Sequence, residues 1–290
     1  MILEEFSAWF VWVLPLVASL FVPVIGKYSD KARNYFVVAI AAVTAVLALS
    51  LLPSVWTGDG SATIFNVDWI PGLQAGVYID SLSVLFTCLV AFFALIITVY
   101  SIGYMKGEEG LTRYYYLILL FIGSMIGLVI SDNMIQLFIF WEMVGLCSYA
   151  LISFWYKKPE SIKAGVKVFI MTRIGDIALL AAIGLLYMMF TTFSFHGVIG
   201  GIQDAAAAGT LNTSLLVVVA FLVLGGAIAK SAQLPLFTWL YSAMEAPTSV
   251  SALLHAATMV KAGVYLLARL ILILSVATAI IAALQPLWFP

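Results

Sequence analysis

The sequence predicts an all-α, polytopic membrane protein of about eight spans, and three observations carry that prediction. Of 290 residues, 64% are hydrophobic and only 9% are charged, where a soluble domain carries about 25% charged residues. Mean hydropathy is +1.14. The apolar residues fall into runs near the roughly 20 residues that a helix needs to cross about 30 Å of hydrocarbon. Finally, the Lys and Arg residues between runs alternate from one loop to the next, as the positive-inside rule requires.

The predicted spans cover about 6–25, 35–55, 79–103, 114–131, 133–156, 164–190, 211–240 and 248–272. Glu4 and Glu5 precede the first run. A signal peptide wants positive charge there, so the run reads as a retained span. Lys27, Lys31 and Arg33 follow the first span, Lys106 and Arg113 the third, and Lys157, Lys158 and Lys163 the fifth. The loops after the second, fourth and sixth spans hold no Lys or Arg. The expected protein is a multi-pass protein of the cell membrane with its N-terminus outside. Segment 57–80 is then external, and its loose alternation and turn residues allow a short hairpin. Asp132-Asn133 makes a tight turn between spans four and five. A last apolar run, 273–289, is short.

Net charge is -1, which gives no reason to expect nucleic acid. Cys88 and Cys147 lie in apolar runs outside any CxxC pair and read as buried hydrophobes. The sequence lacks GxGxxG, P-loop and HExxH patterns. The expectation is a chain that moves charge without a cofactor or metal of its own.

The groups that would move it lie inside the spans. Glu142 sits about 14 Å into span five, near mid-membrane. Asp176 is in span six, Lys230 in span seven, and His255 and Lys261 in span eight. A charge at that depth costs about 2.5–3.5 kcal/mol, and four together on the order of 10 kcal/mol. One alone reads equally as a static ion pair. Four, of both signs on separate helices, must face each other or water. Arg173 and Asp176 share a face at i,i+3, so Asp176 could be static. Ser251 and His255, and Lys261 and Tyr265, share faces at i,i+4. His255 and Lys261 diverge by roughly 120° and would line different walls. A neutral core histidine bonded to a carbonyl is an equal reading of His255. Run 211–240 would be about 45 Å long as one helix, too long for a perpendicular span. Pro235 disfavours helix at Leu234, so a broken helix with Ser231 and Gln233 near the break is expected. Such breaks line cavities and ion sites.

Four stretches, "FIFWEMVGLCSYALISFWY", "TRIGD", "AKSAQLPLFTWL" and "AMEAPTSVSALLHAATMVKAGVYLLAR", resemble the large antiporter-like membrane subunit of respiratory complex I. That family extends to subunits of multi-subunit cation/proton antiporters. The wording is most similar to the L-type subunit of reduced-deazaflavin dehydrogenases. The resemblance covers about 80–270. It implies that Glu142 and Lys230 form a proton-loading pair, that Asp176 is the acid after "RIG", and that His255 and Lys261 relay protons. It implies non-redox work inside an NADH-type or F420H2-type dehydrogenase. Partners would be other membrane and peripheral subunits and the lipid bilayer. The alternatives are a Na+/H+ antiporter subunit and a non-translocating structural subunit. The family's Trp-Leu-Pro-Asp-Ala-Met reads Trp239-Leu240-Tyr241-Ser242-Ala243-Met244 here. Family members carry two inverted five-helix repeats. The expected organisation is therefore 1–110 as N-terminal helices with an external loop at 56–78, 111–272 as one five-helix repeat containing the broken helix, and 273–290 as the start of a missing second half.

Overall fold

The computed structural model describes residues 2–56, 63–70 and 73–271. The C-terminal segment 273–290, including its apolar run, lies outside the described residues. Helices α1 (Ile2–Tyr28), α2 (Asp30–Ser50) and a short α3 (Leu52–Trp56) lead to an antiparallel hairpin, β1 (Thr63–Ile70) and β2 (Leu73–Ile79). Then come α4 (Ser81–Tyr104), α5 (Leu111–Ile130), α6 (Met134–Ile152), α7 (Pro159–Phe190), α8 (Phe195–Ala207) and α9 (Thr213–Lys230). The remainder is short pieces: α10 (Thr238–Ser242), a 3-10 turn (Ala243–Glu245), α11 (Thr248–Ser251), a π-helical stretch (Ala252–Ala257) and α12 (Met259–Arg269). Eight helical segments among the described residues are long and apolar enough to cross a membrane.

Helix starts follow local chemistry. Ser29 accepts from the Ala32 N–H, and Asn133 from the Gln136 N–H. Asp80 and Ser83 make a reciprocal capping box at α4. Each satisfies an N–H that the helix itself cannot.

Helix α5 is the hub. Its run from Leu117 to Ile130 is buried apart from the half-buried Leu120, with α1, α2, α4 and α6 packed around it. The outer helices show large apolar side chains to their surroundings, including Leu20, Phe21, Val46, Leu85, Phe92 and Ile177. Such a surface suits lipid.

The connections gather at two ends. At one, β2 bridges to Ser131, Asn133 bridges to Ser194, and Arg269 at the end of α12 binds Asp80. At the other, Arg33 donates to Thr112, Arg113 to the Phe154 carbonyl, and Lys157 to Glu109. The basic residues counted from the loops therefore share one face, opposite the hairpin.

The structure differs from the sequence expectation in two places. Segment 191–210 holds α8, which buries Phe195, Val198 and Ile202, an i, i+3, i+7 spacing that marks an amphipathic helix. Span seven is broken as expected, with α9 ending at Lys230 and Ser231 as its cap. Span eight, expected as one helix, is interrupted: the π stretch ends at Thr258, whose φ of -135° and ψ of -79° are not helical. No proline marks that second break.

Candidate functional site

Three helices bring the charged groups together. α7 packs closely on α9, and α6 lies against α7. Gly175 makes the first approach feasible, because a Cβ there would stand 2.3 Å from that of Ala229. α9 then ends with Lys230 as its last residue. Lys230 is wholly buried. Its Nζ donates to the Trp141 carbonyl at 3.1 Å and lies 3.5 Å from Asp176 Oδ1 and 5.0 Å from the Trp141 ring centre.

Asp176, 2% exposed, is held from three sides. Trp141 Nε1 donates to its Oδ1 at 2.5 Å, Lys230 faces the same oxygen, and Arg173 Nε stands 3.6 Å from Oδ2. The guanidinium of Arg173 also pairs directly with Glu142. The result is an alternating chain, Glu142–Arg173–Asp176–Lys230, running from half-buried to fully buried. Buried charges are tolerated where each has an opposite neighbour, as here. Glu142 and Arg173 line a lateral cleft of about 220 Å³ with Met143 and Phe169, so this end of the chain opens outward.

Gly145 explains why two cations share one patch of α6. A Cβ there would lie 3.0 Å from both Lys230 Nζ and Arg173 Nη2. The carbonyl of residue 141 stands under residue 145, one turn on. With no side chain above it, that carbonyl is open to the ammonium.

The second break adjoins the first. Ser231 donates to the Val260 carbonyl at 2.7 Å, tying the end of α9 to the start of α12. Thr258 caps the Leu253 carbonyl at 2.6 Å. Both hydroxyls bond backbone carbonyls beside the interruption and so tie its ends to their neighbours. His255 sits within the interruption, its ring centre 6.1 Å from that of Trp239. Both its ring nitrogens are buried without a hydrogen-bond partner among the described residues, so the carbonyl expected of a static core histidine is not there.

Of the five residues singled out from sequence, Glu142, Asp176 and Lys230 join one network. The expected direct Glu142–Lys230 pair is replaced: Arg173 takes Glu142, and the nearest carboxylate to Lys230 is Asp176. The Arg173–Asp176 proximity is as expected at i,i+3. His255 is in the neighbouring break, and Lys261 is exposed on α12. Sequence reasoning passed over Trp141, which donates to Asp176 and accepts from Lys230. Its signal is its place directly before Glu142: a step of about 100° turns it to the wall that Glu142 does not face.

Comparison with known proteins places this geometry. Residues 131–288 match the family described as "NADH:quinone oxidoreductase/Mrp antiporter, TM". Residues 69–115 match "NADH-Ubiquinone oxidoreductase (complex I), chain 5 N-terminus". The chain is 39% identical over 274 residues to NAD(P)H-quinone oxidoreductase chain 5 of Picosynechococcus sp., covering 91% of this chain and 41% of that protein. It is 40% identical over 260 residues to Na(+)/H(+) antiporter subunit A1 of Staphylococcus haemolyticus, covering 89% and 32%. It thus spans less than half the length of these relatives. Among solved structures, the Mrp complex from Dietzia sp. superposes with a TM-score of 0.78 at 30% identity, over 90% of this chain and 28% of that one. The archaeal membrane-bound sulfane sulfur reductase shares the fold, with a TM-score of 0.81 at 24% identity over 92% and 53%.

Proposed function

Since the chain belongs to the NADH:quinone oxidoreductase/Mrp antiporter transmembrane family, we propose that it translocates protons within a membrane-bound respiratory oxidoreductase complex. The carrying observation is the Glu142–Arg173–Asp176–Lys230 chain ending at the broken helix. Arg173 bridges the two carboxylates Glu142 and Asp176 and so balances the network. Lys230 is the group that loads and releases. When its ammonium gives up a proton, Asp176 keeps Arg173 and the Trp141 N–H as partners. The carboxylate therefore stays compensated in both states. Glu142 competes with Asp176 for Arg173, so a change at the outward end alters how strongly Asp176 holds Lys230. His255, unpartnered in the adjoining break, and Lys261 on α12 pass the proton onward. Redox work and its cofactors belong to other subunits, and the N-terminus faces outside because the basic loops share the opposite face.

The test is Lys230→Ala in the assembled complex, with assembly followed on native gels. Loss of most proton translocation is expected. Normal assembly with wild-type translocation would make the lysine structural and leave a packing subunit as the reading. A second reading, Na+/H+ exchange, is favoured by the equal similarity to the antiporter subunit of Staphylococcus haemolyticus. Sodium-dependent proton flux in proteoliposomes without electron donor separates the two.

A further inference from the structure

At the hairpin end, away from the charge chain, β1–β2, the α5–α6 turn and the α7–α8 turn surround a cleft of about 340 Å³. Its lining is rich in oxygen: Asn66, Asp68, Gln74, Asp132, Thr192 and Ser194 among others. Asp132 is only 4% exposed, and its Oδ1 is buried with no hydrogen-bond donor among the described residues. A carboxylate oxygen out of water and without a donor is costly to leave so. The nearby basic side chains do not resolve it. Arg269 gives both its terminal nitrogens to Asp80, at 2.7 and 3.0 Å, and His196 acts on Asp132 only through space.

Gly76 brings a second oxygen to the same spot. The place its Cβ would take lies 2.1 Å from Asn66 Oδ1 and 2.8 Å from Asp132 Cβ. Gln74 spends its Nε2–H on Asp68 Oδ1 at 2.9 Å, which leaves its amide oxygen as the group it offers. We propose that this cleft binds a hard, oxygen-seeking cation, sodium or calcium, anchored by Asp132 with Asp68 at the rim. Thiol or imidazole ligands of the softer metals are absent from the lining. Calcium sits about 2.3–2.6 Å from an oxygen, closer than the roughly 2.7–2.8 Å of a water hydrogen bond.

The full chain in detergent is titrated calorimetrically in two arms, calcium in sodium-free buffer and sodium with a calcium chelator. One saturable site is expected, for calcium in the range of about 10⁻⁴–10⁻³ M, and the arm that saturates identifies the ion. Asp132→Asn weakens it at least tenfold and Asp68→Asn by a smaller factor, while Glu160→Gln, an exposed acid at the start of α7, leaves it unchanged. Circular dichroism melts check that Asp132→Asn folds; if it does not, Asp68→Asn on the exposed hairpin decides. Absence of saturable uptake in both arms, or full affinity in Asp68→Asn and any folded Asp132→Asn, overturns the proposal. Neither result bears on Lys230, which lies in a different part of the molecule.

Discussion

Single side chains set the energetics of the charge chain, and they do so as partners. Removing one member of a buried ion pair strands the other, at a cost of about 3–5 kcal/mol, while replacing both by apolar groups is often neutral. Asp176→Ala leaves Lys230 with a carbonyl and Arg173 with Glu142 alone, so a loss of about 3–5 kcal/mol is expected in SDS-induced unfolding from mixed micelles. Asp176→Leu combined with Lys230→Met should recover most of it. A double-variant loss equal to the sum of the two single losses would show that the pair is not coupled. Glu142 is joined to Arg173, so a double-mutant cycle between Glu142→Gln and Arg173→Gln should show a larger coupling than one between Glu142→Gln and Lys230→Ala. The reverse order would restore the direct Glu142–Lys230 pair that the motif suggests.

At the scale of elements, two contacts hold the broken helices where those side chains need them. α7 meets α9 through Gly175, and an added methyl would meet Ala229 Cβ at 2.3 Å and the Gly225 carbonyl at 3.1 Å. Gly175→Ala should cost about 1–3 kcal/mol as overpacking and lower translocation by moving Lys230 off Asp176. Adding Ala229→Gly removes the opposing methyl and should restore both, measured as melting temperature and flux. The second contact is the bidentate Arg269–Asp80 pair, which ties the end of α12 to the cap of α4. Burial pushes the Asp80 carboxyl up, but the Arg269 guanidinium and the Ser83 N–H hold it below the usual carboxylate range. Its stabilisation is therefore complete above the unfolded value near about 4 and is lost as pH falls through the lower folded value. Thermal melts of Asp80→Asn, which keeps a capping oxygen, should be lower than wild type at neutral pH and should converge with it in acid, once pH has fallen through the lowered folded value. A constant difference across that range would mean that the ion pair contributes nothing.

On the scale of the whole molecule, all the basic loops lie at one end and the hairpin at the other, with lipid-facing helices between. Cysteines placed at Ala208, beside the hairpin end, and at Glu108, at the basic end, should label from opposite sides of intact vesicles, the first from outside. Labelling of both from one side would sink the proposed orientation. Legibility from sequence follows the same scale. The spans and the basic alternation could be read because hydrocarbon thickness and loop charge act on each segment separately. The hairpin was readable as turn-rich alternation, and the break after Lys230 through Pro235. Helix α8 lay within what read as a loop, although Phe195, Val198 and Ile202 carried its period. The interruption at Thr258 had no proline to mark it; it shows only in the structure, where Ser231 bonds the Val260 carbonyl and Thr258 the Leu253 carbonyl.

The sequence by itself determined that this chain crosses a membrane repeatedly, that its basic loops share a side, and that Glu142, Asp176 and Lys230 lie at membrane depth. These follow from the cost of exposing charge or unpaired backbone to hydrocarbon, which depends only on what a segment contains. Beyond the Arg173–Asp176 pair that i,i+3 spacing already suggests, which charge answers which was decided by tertiary structure. Arg173 reaches Glu142 and Asp176 together, Trp141 turns its indole to Asp176, and Gly145 leaves room for two cations on one patch of helix. Pairing energy depends on distances of a few ångströms between side chains on different helices. Those distances are set by how closely α6, α7 and α9 pack, which spacing along a single chain does not encode.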